Sequence, residues 1–364
     1  MASNSDVMSR GWLTAYLRQR LKREGAEATH VVKFPRGSSR ETWFVEFRES
    51  EGAPTRKVVF RADLPSGSTI PSPLDQEYGI YERLGRTKVP VAKVLWWEDD
   101  PQWSMDGRPF FVREQVEGSW NVPNFHSPDP AYDELRIEVS KEHMRKLALV
   151  HNVDWRALGF DRILPAPPSV ETCGHNMIDA MVRRFEQFRL EAIPIFLEGA
   201  EFLRDRAPAA PRIVLCKGTN GLGEEIFQGR TIVAMSDWEE ASLGDPAADF
   251  ASLQDFTPEI VRDGRTIWGL EHSLAYYREV SGIDVTLANV RFYQMLRALS
   301  TIEFSANAAR GVTDCAEATI RQAWTATEVM HIGKRSLGGL MGIGPGVPGE
   351  YYAELNRTVE DVVS

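Results

Sequence analysis

The chain has 364 residues, of which 43% are hydrophobic and 26% are charged, as in an ordinary globular protein. Its length suits one large domain or two lobes with a sizeable core. A formal net charge of −10 argues against general nucleic-acid binding, which requires a basic surface, although it leaves room for a local phosphate site.

Cysteine usage and hydropathy indicate the compartment. Cys173, Cys216 and Cys315 are widely spaced and form no CxxC pair, so they provide neither a disulfide framework nor a zinc site and favour a reducing environment. Residues 1–10 carry no apolar signal region, and no apolar run is long enough to span a bilayer. These features predict a cytoplasmic protein without a membrane span; they leave the oligomeric state open.

The first third of the chain is rich in strand patterns. Residues 11–24 have apolar side chains at helical spacing and predict an amphipathic helix. Segments 42–47 and 57–60 are rich in β-branched and aromatic residues and predict a hairpin. Further elements expected in this part are one helix and two strands, at residues 71–83, 89–97 and 109–116.

Beyond Gly118 helical periodicity dominates, and only 213–215 and 232–235 have strand patterns. The helices predicted here cover residues 140–153, 177–190, 270–280, 287–305 and 316–331. A Pro-rich loop is expected at 165–168, and a Gly- and Pro-rich loop at 338–349.

Strands followed by helices predict an α+β protein of two lobes. The division expected from the pattern is a helical extension, a small β-rich lobe and a larger helical lobe, over residues 1–24, 25–117 and 118–364 respectively.

A Gly-rich loop holds the residues with the clearest chemical character. It runs from Lys217 to Glu225 and contains the hydroxyl of Thr219, the amide of Asn220 and two adjacent carboxylates, the first being Glu224. Its glycines free the backbone for positive φ angles and for close approach to an anion. The loop is therefore a candidate phosphate site.

A second loop follows a predicted strand and begins with Asp237, a position that suits Mg²⁺ because this ion prefers hard oxygen ligands. The run Asp237-Trp238-Glu239, Gly244-Asp245-Pro246 and Asp249-Phe250-Ala251 resembles, in order and spacing, the aminoglycoside phosphotransferase and choline kinase family. The resemblance covers roughly residues 30 to 300 and implies a bilobal protein-kinase-like fold. It also implies that Asp237 holds Mg²⁺ on phosphate oxygens.

The first lobe contains shorter motifs that resemble the same family. Ser38 and Ser39 lie in a small-residue loop like the one that covers the nucleotide phosphates. Arg61 and Glu77 lie where the family places a cation and its ionic partner. Taken singly, an ordinary turn and a surface ion pair explain these residues equally well. His151, near a helix end typical of these proteins, is predicted to pack rather than to catalyse.

The first loop departs from the family pattern of His-Gly-Asp, four further residues, then Asn. Lys217, Thr219 and Glu224 stand at those three positions. A Thr hydroxyl cannot act as a base near neutral pH, and a Lys ammonium could do so only with a strongly depressed pKa. The pattern fits a decayed kinase site or a repurposed one. The concentration of a cation, a hydroxyl, an amide and two carboxylates in one loop favours repurposing.

The first function that fits is a lyase that releases phosphate from an alkyl phosphate ester. Lys217, Thr219 and loop N–H groups, with Mg²⁺ on Asp237, would stabilise the leaving phosphate. Glu224 or Glu225 would remove a neighbouring proton. The substrate would be a small, hydroxylated and, from the aromatic content, rather apolar molecule.

Two alternatives stay open. One is a Mg²⁺- and ATP-dependent small-molecule kinase with a relocated base, for which Glu224, Glu225 or Glu239 could substitute. The other is a non-catalytic binding protein on a kinase-like fold. The sequence leaves undecided whether ATP binds, with Asn220, Ser38, Ser39, Arg61 and Glu77 as candidate binding residues.

Overall fold

The structure is a computed structural model that describes residues 8–35, 37, 39–221, 223–253, 255–315 and 317–344. Its first part is a five-stranded antiparallel sheet with the strand order β1-β2-β3-β5-β4. The strands are β1 Glu27–Lys33, β2 Arg40–Arg48, β3 Arg56–Asp63, β4 Val94–Glu98 and β5 Phe110–Glu114. Two helices accompany the sheet, α1 Arg10–Leu21 and α2 Leu74–Leu84.

Helix α1 packs on the sheet through one apolar face. Ser9 caps its first turn by accepting a hydrogen bond from the Trp12 amide. Buried Tyr16 donates its hydroxyl proton to Glu98 at 3.0 Å and accepts from the Trp96 indole at 2.8 Å. The helix ends at Leu21 and not at residue 24 as expected, because the next residue adopts a left-handed conformation.

The predicted hairpin is confirmed as β2 and β3, which pair antiparallel from Arg40 to Phe47. Strand β1 was not predicted, since its exposed and buried residues alternate too irregularly to mark a strand. The strand expected at 89–97 begins only at Val94, because Pro90 cannot donate to a ladder.

The second part of the chain is mostly helical, which confirms the α+β arrangement. Its helices are α3 Asp133–His151, α4 Cys173–Phe188, α5 Pro194–Arg204, α6 Ala247–Phe250, α7 Leu270–Ser281, α8 Leu287–Asp314, α9 Ile320–Trp324 and α10 Met330–Leu340. Three short antiparallel pairs join them: β6 Val214–Cys216 with β9 Ser242–Gly244, β7 Glu225–Gln228 with β8 Thr231–Met235, and β10 Ile260–Arg262 with β11 Arg265–Trp268.

Several expectations for this part need correction. Strands β7, β9, β10 and β11 were missed because three or four residues are too few to show a period. Helix α5 was also missed, although its sequence contains apolar residues at helical spacing. Helix α8 continues nine residues beyond its expected end at 305. The helix expected over 316–331 starts at Ile320, and Thr325–Val329 form a π-helical turn before α10. Gly338 and Gly339 belong to α10 rather than to a loop, and residues 345–349 lie outside the described residues.

The segment that links β3 to α2 rests on helices from the end of the chain. The Asn307 amide donates to the carbonyl oxygens of Ser68 and Thr69, at 2.7 and 2.9 Å. Gln322 accepts from the Ser66 hydroxyl at 2.6 Å and donates to the Gly67 carbonyl at 3.2 Å. These bonds hold the first part of the chain over the helical part. The exact division at residues 24 and 117 stays a prediction.

None of the described helices combines the length and the apolar character that are needed to cross a bilayer.

Candidate active site

The candidate site lies where the loop after β6 meets the loop after β8. The first loop contains Lys217, Thr219 and Asn220, and the second contains Asp237, Glu239 and Glu240, so the structure brings together residues from both predicted loops. Two strand pairs position the ends of the loops. The β6–β9 pair joins the start of the first loop to the end of the second, and the β7–β8 pair joins the end of the first loop to the start of the second.

Asp249, in α6, anchors the first loop from below. Its carboxylate accepts hydrogen bonds from the backbone amides of Lys217 at 2.8 Å and Gly218 at 2.6 Å, and from the Asn220 side chain at 2.9 Å. His151 donates a fourth bond at 2.8 Å. Burial alone would raise the pKa of Asp249, but these donors outweigh it and hold its pKa below the ordinary value.

His151 completes this anchor and does not face the cavity described below. Its second ring nitrogen lies 2.6 Å from the Tyr277 hydroxyl, and the residue is buried. The geometry agrees with the packing role expected for this residue.

Lys217 is turned inward, and its side chain is 0% exposed. The ammonium group donates to the Thr219 carbonyl and lies 3.4 Å from the Glu225 carboxylate, which is itself 3.4 Å from His143. Burial would lower the pKa of Lys217, but Glu225 and the neighbouring Glu224 outweigh it, so the pKa is raised. Lys217 therefore remains an ammonium ion, and it is placed against Glu225 rather than towards a ligand.

Thr219 faces a carboxylate that the sequence did not single out. Its hydroxyl donates to Glu240 Oε2 at 2.9 Å, and Arg297 of α8 donates to Glu240 Oε1 at 2.5 Å. Gly218 makes this approach of the two loops possible, with a φ angle of +88°. A Cβ atom at Gly218 would lie 2.5 Å from the Glu240 carbonyl oxygen, so only glycine fits there.

Glu224 and Asp237 occupy the other side of the site. Burial, opposed by Lys217, raises the pKa of Glu224 to about 7. Its Oε2 has no hydrogen-bond partner within the described part of the chain. Asp237 adopts a left-handed φ angle of +63°, which Asp tolerates better than most residues, and its side chain is 29% exposed. Burial raises the pKa of Asp237 despite the attraction of Arg61.

The candidate nucleotide-side residues of the first lobe converge on Glu77, which is fully buried. Arg61 Nη2 lies 3.2 Å from one Glu77 oxygen, and Arg40 Nε lies 3.3 Å from the other. Arg61 also lies 3.8 Å from Asp237 and so links the lobe to the second loop. Ser39 is buried, and its hydroxyl accepts a 3.5 Å bond from the Ile70 amide; Ser38 lies outside the described residues.

Magnesium, which the family resemblance implies, fits this donor set. The described residues contain no cluster of three or more His, Cys, Asp or Glu side chains that would form a complete protein cage. Mg²⁺ commonly uses one or two carboxylates together with substrate phosphates and water. Asp237, which is partly exposed, and Glu224, with an unpartnered oxygen, are the residues that would hold it.

A cavity of about 300 Å³ opens beside these loops. Gly218, Glu239 and Glu240 form its wall on the loop side. The rest is mainly apolar, and it includes side chains of α4 and α8 such as Met177, Met181, Leu296 and Phe304. Two ion pairs also line it, Arg297 with Glu240 and Arg184 with Glu303. Sequence reasoning missed all four of these charged residues, because each finds its partner across at least 57 positions of the chain.

Residues 30–282 match the model of the phosphotransferase enzyme family, which is more than half of the chain. The chain belongs to this family. Acyl-CoA dehydrogenase family member 11 of Mus musculus is 26% identical over 307 residues, covering 78% of this chain and 37% of the relative. Member 10 of the same species is 25% identical over 244 residues, covering 66% of this chain and 21% of the relative. The chain thus spans 37% of the length of the first relative and 21% of the length of the second.

Solved structures show that the fold is that of aminoglycoside and macrolide phosphotransferases. A Ralstonia eutropha protein of the aminoglycoside phosphotransferase type superimposes with a TM-score of 0.62 at 20% identity, covering 90% of this chain and 96% of its own. The macrolide 2′-phosphotransferase of Brachybacterium faecium gives a TM-score of 0.55 at 16% identity, covering 89% and 98%. An aminoglycoside phosphotransferase in complex with AMP-PNP and hygromycin B gives 0.53 at 14%, covering 87% and 97%. The predicted bilobal kinase-like fold is confirmed.

Proposed function

We propose that this protein transfers a phosphoryl group from a Mg²⁺-bound nucleoside triphosphate to a hydroxyl group of a small, largely apolar molecule. One observation carries the proposal. The loop that begins with Asp237 continues directly into the cavity wall, since Glu239 and Glu240 line the cavity of about 300 Å³. The carboxylate proposed to hold the metal and a cavity large enough for a small substrate are therefore separated by no more than three residues of chain.

The charged groups beside Asp237 support handling of a phosphate. Arg61 is oriented by the buried Glu77 and lies 3.8 Å from Asp237, where its guanidinium can meet phosphate oxygens. Catalysis of phosphoryl transfer rests mainly on positioning and electrostatic stabilisation. Replacing the family's base with Thr219 is therefore compatible with transfer.

The charge balance of the cavity supports an uncharged acceptor. Arg184 pairs with Glu303 at 2.8 Å and Arg297 pairs with Glu240, so the cations and anions of the wall cancel. Burial and the neighbouring Asp237 raise the pKa of Glu239 well above its ordinary value, which disfavours the ionised form of this carboxyl group. A polycationic aminoglycoside would find no net negative field here.

Two hydroxyl groups of the wall are available to an acceptor. Ser72 Oγ and the Tyr293 hydroxyl are buried and have no partner within the described residues. Both line the cavity. An acceptor with its own hydroxyl groups would satisfy them, whereas a hydrocarbon would leave their desolvation uncompensated.

Phosphate elimination from an alkyl phosphate is a second candidate, favoured by Glu224. A carboxylate with a pKa of about 7 and an unpartnered oxygen suits proton removal near neutral pH. The phosphate cradle expected for this reaction has less support, because the amides of Lys217 and Gly218 are engaged by Asp249 and the Lys217 ammonium faces Glu225.

The test is a phosphoryl-transfer assay with Mg²⁺-ATP and a panel of acceptors, followed by ³¹P NMR and mass spectrometry. The panel comprises apolar alcohols, aminoglycosides and, because of the names of the curated relatives, hydroxylated acyl acids and their CoA thioesters. We expect a phosphorylated product from an uncharged or acyl acceptor and none from an aminoglycoside. Asp237→Asn should lower turnover at least 100-fold if this carboxylate holds the metal.

Elimination is distinguished in the same experiment by offering alkyl phosphates without nucleotide. Release of inorganic phosphate together with an alkene would support the lyase and overturn the kinase. Mg²⁺-ATP that raises the melting temperature with no product from any acceptor or phosphate ester would instead support the binding protein.

A further inference from the structure

We propose that Glu240 is the catalytic base of this site and supplies the carboxylate that the catalytic loop lacks at Thr219. This inference rests on the proposed phosphotransferase function and assigns a specific residue to it. Neither the loop pattern nor the family motifs mark Glu240, which directly follows the Asp237-Trp238-Glu239 run.

The first support is the distance between the two loops. The Thr219 hydroxyl donates to Glu240 Oε2 at 2.9 Å. Thr219 stands at the position where the resembling family has its catalytic Asp, so a carboxylate oxygen lies one hydrogen bond away from that position. The group is supplied from 21 residues further along the chain.

The second support is that Glu240 belongs to the wall of the cavity. Glu240 lines the cavity together with Gly218, while Glu225, another carboxylate close to the loop, is buried against Lys217 and His143. An ionised carboxylate offers about four acceptor sites. The described contacts of Glu240, with Thr219 and Arg297, use two of them. Glu240 can therefore accept a further hydrogen bond from an acceptor hydroxyl in the cavity.

The third support is that the local backbone is built for this approach. Gly218 has a left-handed φ angle of +88°, and any larger residue would meet the Glu240 backbone and Cβ at 2.5 and 2.6 Å. Asp249 holds the same stretch through two backbone amides. Arg297 then fixes the rotamer of Glu240 from α8 at 2.5 Å. A carboxylate held by two hydrogen bonds, from Thr219 and Arg297, is preorganised for proton transfer.

The step balances as follows. Glu240 takes the proton of the acceptor hydroxyl, whose oxygen forms a bond to the γ-phosphorus of the nucleoside triphosphate. The bond from the γ-phosphorus to the bridging oxygen breaks, and the nucleoside diphosphate departs with that electron pair. The proton leaves Glu240 for solvent after product release.

Glu240 could instead have a purely structural role, in which its ion pair with Arg297 connects α8 to the loop. The test distinguishes this role from that of a catalytic base. The variants are Glu240→Gln, Thr219→Asp and the double variant carrying both. Each is assayed for Mg²⁺-ATP turnover with the best acceptor and with water. The matched control is Glu186→Gln, since Glu186 also pairs with an arginine, at 2.7 Å, but lies on the exposed surface of α4.

If Glu240 is the base, Glu240→Gln lowers kcat roughly 10²- to 10⁴-fold, the usual contribution of acid–base catalysis. In the double variant kcat is then at least tenfold higher than in Glu240→Gln, because Thr219→Asp returns a carboxylate to the position next to the acceptor. In all variants the affinity for Mg²⁺-ATP, measured from the nucleotide-induced rise in melting temperature, stays within twofold of the parent value. The turnover of Glu186→Gln equals that of the parent protein.

Three results would overturn the assignment. If the turnover of Glu240→Gln stays within fivefold of the parent value, Glu240 is not the base, and the proposed phosphotransferase function is retained. Loss of turnover that Thr219→Asp does not restore, together with weaker nucleotide binding, assigns Glu240 a structural role. Absence of nucleotide turnover in the parent protein rejects both the proposed function and the base.

Discussion

At the base of the site Asp249 accepts four hydrogen bonds, whereas several other buried oxygens of the site accept none within the described residues. The unpartnered oxygens belong to Asn220, Glu224 and Glu239. The two regions also differ in protonation: the pKa of Asp249 lies below its ordinary value, while the pKa of Glu224 is raised to about 7.

This difference distinguishes residues that hold the loops in place from residues that can take part in the reaction. Buried polar groups in proteins are nearly always hydrogen-bonded, so the fully satisfied base has the character of a structural anchor. Unsatisfied buried oxygens, among which Glu239 lies in the cavity wall, have the character of groups that await a ligand or a metal ion. The three residues that differ from the family pattern, Lys217, Thr219 and Glu224, thus sit on a loop that Asp249 anchors. Lys217 turns inward to Glu225, whereas Glu224 leaves one oxygen unpartnered within the described residues.

The largest expected effect follows from removing the anchor. Asp249→Ala leaves two loop amides, the Asn220 amide and His151 without their acceptor, so the free energy of unfolding should fall by about 3 to 5 kcal/mol. Urea denaturation followed by circular dichroism measures it. Asp205→Ala, at an exposed helix end, is the control and should change stability by less than about 0.5 kcal/mol. A decrease in the free energy of unfolding of less than about 1 kcal/mol would show that Asp249 does not anchor the loop.

An intermediate effect is expected at Gly218, where the loop that Asp249 anchors meets Glu240 of the second loop. Gly218→Ala places a Cβ atom 2.5 Å from the Glu240 carbonyl and should cost roughly 1 to 3 kcal/mol from strain and crowding. Gly229→Ala is the matched control, because Gly229 also has a positive φ but no atom within 4 Å of the added Cβ. Equal losses of stability in the two variants would show that the loops do not approach as closely as described.

The third expected effect is a pH dependence that comes from Glu224, one of the residues with an unpartnered oxygen. The pKa of Glu224 is raised on folding, from an ordinary value of 4.5 to about 7, so the folded state binds more protons than the unfolded state between these values. The stabilisation is present below pH 4.5 and is lost as pH rises through 7. In metal-free buffer Glu224→Gln should lack this decline, which amounts to about 1 to 3 kcal/mol.

Stability curves of the parent protein and Glu224→Gln between pH 5 and 8 measure that difference. Glu198→Gln, on the exposed face of α5, should follow the parent. Parallel curves for parent and Glu224→Gln would place Glu224 in an ordinary solvated environment and would remove the contrast with Asp249.

Several features of the fold and site were predictable because they depend on local pattern. The hairpin β2–β3 and the long helices have clear periodicity, and the sequence motifs around Asp237 and Asp249 indicated the family. Short strands such as β7 and β9 could not be found, because three or four residues do not establish a period. The ends of α8 and α10 were also missed, since tertiary packing there outweighs glycine's low helix propensity.

The sequence by itself indicated a strand-rich part followed by a helical part, the family, and Thr219 at the position where the resembling family has its catalytic Asp. Only the tertiary structure decided that Lys217 turns inward to Glu225 and that Glu240 reaches Thr219 from the other loop. The physical reason is that hydrogen bonds and ion pairs are set by distances between loops, which backbone packing and a single glycine control, and no local pattern of residues encodes those distances.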